Sequence, residues 1–115
     1  MSTNDTIDYQ QAIFLADLMD FLKKNDPNHE INPQWLVQEF VDHWCQVCAN
    51  GKDILWERER MRKLRKGVKA SIGGALKTWR NNSKSWHPNK WRSYNAAKRY
   101  VYKPRQTKEG QNSRF

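Results

Sequence analysis

Leu36, Val37, Phe40, Val41, Trp44, Val47 and Cys48 fall on one side of a helix. Wound at about 100° per residue, all of them lie within about 80° of Trp44. A face this continuous has to be covered, and nothing in the chain alternates in the way a strand would need. The remaining apolar residues repeat at the same helical spacing, so the chain is constrained to bury helices against helices. The fold class expected is all-α, a small bundle of four to five helices with a basic, partly disordered C-terminal tail.

The first helix is expected from Ile7 to Lys24, with Phe14, Leu15, Leu18, Phe21 and Leu22 as its apolar positions and Thr6 or Asp8 as its cap. The segment NDPNHEINP (25–33) interrupts it with two prolines. Asn32 followed by Pro33 makes a cap and first-turn pair for a second helix. That helix should run to about Ala49, where Asn50-Gly51 stops it. A third helix begins near Asp53, with Ile54, Met61, Leu64 and Val68 as its stripe, and Gly67 ends or loosens it. A fourth carries Val68, Ile72, Ala75, Leu76 and Trp79 on one face. Its Gly73-Gly74 pair lowers helicity and points to close approach of another backbone. NNSKSWHPN (81–89) reads as a loop, and a short last helix runs from Trp91 to about Tyr100. With 115 residues there is enough chain for one small helical domain. It is expected over 1–103, with acidic helices in 7–49, basic helices in 53–100, and a disordered tail over 104–115.

The stretch HWCQVC (43–48) crowds His43 and the chain's two cysteines, Cys45 and Cys48, together. On a helix, His43 and Cys45 lie about 100° to either side of Trp44 and cannot share an ion. A structural zinc needs four ligands, and only His29 and His87 remain, both in expected loops. A redox pair is expected at a helix start, not near its C-terminus, where the dipole raises the thiol pKa. Cys48 is expected to be a small buried hydrophobe. No metal and no cofactor are expected.

Charge divides the chain in two. Residues 1–50 hold two Lys/Arg and eight Asp/Glu, a net of −6. Residues 51–115 hold 19 Lys/Arg and four Asp/Glu, a net of +15. A basic half of this density points to a polyanion, and an acidic half to a protein partner. The cations expected to track phosphates are Arg58, Arg62, Lys63, Arg65, Lys66, Lys69, Lys77, Arg80 and Lys84. Lys66, Lys69, Lys77 and Arg80 should lie on one side, away from Ile72, Leu76 and Trp79. Glu57 and Glu59 neutralise only part of this set.

From residue 86, aromatics interleave with cations. Trp86, Trp91, Tyr100 and Tyr102 stand among Lys90, Arg92, Lys98, Arg99 and Lys103. Stacking groups alternating with phosphate-holding groups suit single-stranded nucleic acid. Trp91 and Tyr94, three residues apart, suit core packing equally well.

No glycine-rich phosphate loop and no triad spacing is present, and Asp17 and Asp20 fit a solvated helix face, so an enzyme is not expected. No apolar run is long enough for a membrane span. The polar, acidic start is unlike a secretory signal. A reduced cytoplasmic setting, in a bacterial or phage-infected cell, is expected.

One constellation, EFVDHWCQVCANGKDILWERE through LKTWRNN (39–82), resembles the C-terminal motif of phage and plasmid replication-initiation proteins, the group related to DnaT and DnaD primosomal helicase loaders. Phe40, His43 and Trp44 match its first element and Asn50-Gly51 its turn. Trp56-Glu57 matches the second aromatic, and Leu76, Thr78, Trp79 and Asn81/Asn82 the last helix. The MRKLRKGVKASIGG region makes the middle segment longer than in that pattern. The resemblance implies a helical module of mobile-element DNA replication that binds single-stranded DNA and helps load a replicative helicase, with Phe40, Trp44 and Trp79 as core residues. The function expected is therefore binding of DNA, single-stranded, by the basic aromatic half. Two alternatives stand beside it: a phage-type inhibitor or adaptor that binds a host protein, and a duplex-DNA regulator.

Overall fold

The computed structural model describes residues 3–102, and their side chains from Thr6 to Lys98. Five helices follow in order: α1 (Thr3–Asn25), α2 (Gln34–Trp44), α3 (Leu55–Arg65), α4 (Ile72–Trp86) and α5 (Pro88–Tyr102). The fold is all-α. Among the described residues, the extended backbone that pairs is a single antiparallel bridge between Val47 and Ile54. The chain divides into two compact units, Met1–Arg80 and Asn81–Phe115. The expected disordered tail, 104–115, lies outside the described residues.

In the first unit, α1 supplies a stripe of Ile7, Phe14, Leu18 and Leu22, all buried. Leu15, expected in that stripe, is exposed, because it sits about 100° round from Phe14. Thr6 and Asp8 lie inside the helix, which begins at Thr3, and not at the cap position. Phe14, Leu18, Phe40, Ile54, Trp56 and Leu76 form the core, with Trp44 and Trp79 packed against it.

Between α1 and α2 the chain wraps around one carboxylate. Asp26 is buried and accepts hydrogen bonds from the backbone N–H of Glu30 (2.7 Å), Ile31 (3.1 Å) and Asn32 (2.8 Å). The Asn32 amide adds a fourth at 3.2 Å. A charge out of water needs such a set of donors. Asn32 is spent here and does not cap α2. Pro33 holds that position, without a side-chain cap.

The second helix ends five residues before Ala49. After Trp44, Cys45 closes it and the chain turns into a tight hairpin. Cys48 N–H donates to Asp53 O (2.8 Å) and Leu55 N–H to Gln46 O (2.9 Å) around Gly51, whose φ is 70°. Two adjacent glutamines of α1 hold this hairpin. Gln10 donates to Asp53 Oδ1 (3.0 Å) and accepts from Ile54 N–H (2.9 Å), while Gln11 donates to Cys45 O (2.9 Å). The bonds of Gln10 and of Asn50 hold the Asp53 carboxyl below its ordinary pKa.

Gly67 stops α3. At φ 77° it donates to Leu64 O, and Val68 donates to Lys63 O, the paired bonds of a glycine C-cap. Trp56 is the buried residue of α3. Met61, Leu64 and Val68, expected to line the core, are exposed. The helix begins two residues later than Asp53, and Met61 and Leu64 lie about 140° and 80° round it from Trp56.

The close approach at Gly73 is to a side chain, not a backbone. A Cβ there would stand 2.6 Å from Phe21 Cε1, whereas one at Gly74 meets only ordinary contacts. In the second unit, α4 continues through the segment read as a loop, and α5 starts at Pro88, where the missing N–H costs nothing. His87 N–H donates to Ser83 O (2.7 Å) and Trp91 N–H to His87 O (3.1 Å) across the join.

Gly74→Ala should raise the melting temperature, since alanine is favoured in a helix by about 1 kcal/mol. Gly73→Ala should lower it, because overpacking costs about 1–3 kcal/mol. In a Phe21→Leu background the sign at Gly73 should reverse. A chain in which both alanines stabilise equally has no such contact. Asp53, with its folded pKa depressed, contributes stability that is present above the unfolded pKa of about 3.9 and lost as pH falls through the lower folded value. Gln10→Ala should flatten that acid limb in denaturant titrations below pH 5, and an unchanged limb would contradict the clamp.

Candidate nucleic-acid interface

On α3, Arg58, Arg62 and Arg65 lie within about 60° of one another, on the side opposite Trp56. They are not equally available. Arg62 donates twice to Glu59 (3.1 and 2.9 Å), and Lys63 stands 3.8 Å from the same carboxylate. Arg60 pairs with Glu57 in the same way (3.0 and 2.7 Å). The Glu59 carboxyl is held below its ordinary pKa by the bond from Arg62, and Arg62 is raised by Glu59 in return. Arg62 and Lys63 are thus partly neutralised along their own helix.

Arg58, Arg65, Lys66, Lys69 and Lys77 are exposed, and none forms an ion pair with a carboxylate among the described residues. Lys66 closes α3 and Lys69 lies in the connection to α4. Arg80 is different: it is half-buried and donates to Asn32 Oδ1 at 2.8 Å. It braces the Asp26 loop, so its guanidinium is engaged with the protein itself.

In the second unit Trp91 is buried, and its Nε1–H donates to the fully buried Ser83 hydroxyl at 2.8 Å. Tyr94 packs edge-on against it at 5.7 Å. Trp91 is therefore a packing residue, and the expectation that it stacks on a base is corrected: no face is open. Lys84 covers the Trp91 ring at 5.4 Å and Lys98 the Tyr94 ring at 5.6 Å. Lys90 is exposed, and so is Arg92, which donates to Asn89 Oδ1 at 2.8 Å. Trp86 is 51% exposed. The side chains of Arg99 and Tyr102, and all of Lys103, lie outside the described residues.

HWCQVC gathers no ligand set: among the described residues no group of three His, Cys, Asp or Glu could hold a metal ion. The helix ends before Cys45, so Val47 is exposed in the hairpin and Cys48 is buried there, not on a helical face. Burial, then Asp42, raises the Cys45 thiol pKa. No helix among the described residues is long and apolar enough to cross a membrane.

The aromatic residues of the 39–82 constellation do come together. Phe40 packs against Trp44 (6.3 Å) and Trp79 (6.0 Å), Trp44 against Trp56 (5.4 Å), and His43 against Trp79 (4.9 Å). Phe40 lies in the core, and Trp44 and Trp79, half-buried, pack against it. Comparison with protein-family models, curated proteins and solved structures finds no match for this chain.

Trp91→Phe leaves the buried Ser83 hydroxyl without this donor and should cost about 1–3 kcal/mol. Amide exchange in α5 should accelerate accordingly, while Trp86→Phe should leave it unchanged. Equal effects would contradict the assignment of one ring to packing and the other to the surface.

Proposed function

We propose that this protein binds single-stranded DNA, chiefly through its phosphates, as a module of mobile-element replication. The observation that carries this reading is the set Arg58, Arg65, Lys66, Lys69 and Lys77, exposed cations that make no direct ion pair with a described carboxylate. Phosphate contact is what such a set does best, since each contact releases condensed counterions. Exposed Trp86, with Lys90 and Arg92 in the same unit, supports stacking on an unpaired base. The resemblance to replication-initiation proteins agrees with a single-stranded target.

A protein partner on the acidic side is the second reading, and the outward residues of α1 favour it. Tyr9, Ile13 and Met19 are exposed on a helix that also presents Asp8, Asp17 and Asp20. A replicative helicase, or another host protein met by an inhibitor or adaptor, would dock there. Capture from lysate that survives nuclease treatment and is lost on Ile13→Glu supports this reading, and capture abolished by nuclease argues against it.

Anisotropy of a labelled oligonucleotide should show binding at low salt that weakens steeply as salt rises, by about 0.7 in log–log slope per phosphate contact. Replacing Arg65, Lys66 and Lys69 by alanine should reduce that slope by about 2 and the affinity on the order of tenfold at low salt. Lys24→Ala, on the acidic helix, should change neither. Binding indifferent to salt, or to the triple substitution, contradicts the proposal.

A further inference from the structure

The basic run of the first unit leads into a cleft. Between α1 and the α3–α4 connection lies a half-open space of about 540 Å³. Phe21, Trp56, Leu64 and Ile72 line it with apolar surface, Lys69 contributes a cation, and Asp17 contributes a carboxylate. Arg60, tied to Glu57 by two hydrogen bonds, also borders it. Lys69 is at once a member of the exposed cation set and one of the residues that line this cleft.

An occupant must have a flat apolar body for the walls, an anionic attachment for Lys69, and hydrogen-bond donors for Asp17. A free anion lacks the first, and a hydrophobic peptide segment lacks the second. A nucleobase on its phosphate chain has all three. The volume admits one base with room for water, and the carboxylate separates the bases from one another. Cytosine presents an N4 amino donor at the end of its pairing edge, whereas thymine's single N3–H donor there is flanked by two carbonyl oxygens that a carboxylate repels.

We infer that the cleft between α1 and the α3–α4 connection accepts one unstacked base of a bound single strand, and that Asp17 selects bases carrying an amino donor. The inference rests on the reading of the basic surface as a single-strand binder and adds a base preference to it. Lys69 holds the adjoining phosphate, and Trp56, Phe21 and Leu64 supply the apolar surface against the base.

Binding of labelled dC10 and dT10, two pyrimidine strands that differ in this edge, tests it on the whole chain. Binding of dC10 should be tighter by roughly three- to tenfold, the discrimination a single base-edge hydrogen bond supplies. Asp17→Asn, which can also donate, should erase that preference while leaving the salt slope of both strands unchanged. Leu64→Ala should weaken dC10 and narrow the gap. Equal affinity of the two strands for the wild-type protein overturns the cleft assignment and leaves the phosphate-binding reading standing, as does a preference retained by Asp17→Asn. If neither strand binds at low salt, the phosphate-binding reading falls and the cleft assignment falls with it.

Discussion

The first eighty residues depend on one shared aromatic contact. Phe14 of α1 stacks on Phe40 of α2 at 5.9 Å and tilts against Trp56 of α3 at 5.4 Å. Trp44 and Trp79 close the cluster from α2 and α4. A chain with so much charge has few aliphatic residues to spare, and its core is made of a few large rings. Truncating a buried aromatic to alanine costs about 3–5 kcal/mol, which is a large share of the 5–15 kcal/mol a domain commonly has. The polar bonds from Gln10 and Gln11 act on top of this burial. They fix where the α2–α3 hairpin meets α1, and therefore which side of α3 turns inward to offer Trp56.

That orientation decides the electrostatics. With Trp56 inward, Arg58, Arg62 and Arg65 are carried outward, and Glu57 and Glu59 can answer only the cations three or four residues ahead of them. The pairs formed are exposed and individually weak. Their consequence is a sorting of the basic half. Arg60, Arg62 and Lys63 are engaged along the helix, Arg80 is engaged with Asn32, and the charge at Arg58, Arg65, Lys66, Lys69 and Lys77 faces solvent. A count of Lys and Arg overstates this surface, and its position along the chain is narrower than the composition suggests.

Much of the architecture was legible because it rests on periodicity. The stripe Phe14, Leu18, Leu22 and the rings Phe40, Trp44 and Trp79 follow directly from helical spacing. Errors arose where side chains, not spacing, set the outcome. HWCQVC continues a perfect apolar face, yet the helix stops at Trp44 because the hairpin bonds of Gln46, Cys48 and Leu55, with Gln11 on Cys45 O, compete for the backbone. Asn32 reads as a cap and instead serves Asp26 and Arg80. Met61 and Leu64 lie about 140° and 80° round α3 from the buried Trp56 and so face away from the core, while Val68 lies beyond the helix end. The candidate cations were visible by type, but partnership with Glu57, Glu59 and Asn32 depends on rotamers that spacing alone does not fix. Trp86 and Trp91 look alike in the sequence, and only Ser83, eight residues back, separates the packed ring from the exposed one.

We propose that a polyanion is held at the exposed cations of α3, the α3–α4 connection and α4, which make no direct ion pair with a described carboxylate. Residue-resolved amide shifts during titration of the whole chain with a short single-stranded oligonucleotide at low salt test it most directly. The account predicts progressive, salt-reversible shifts at Arg58, Arg65 to Lys69 and Lys77, with Gln34 to Trp44 nearly still. Shifts concentrated in Gln34 to Trp44, or none at Arg65 to Lys69, would contradict it.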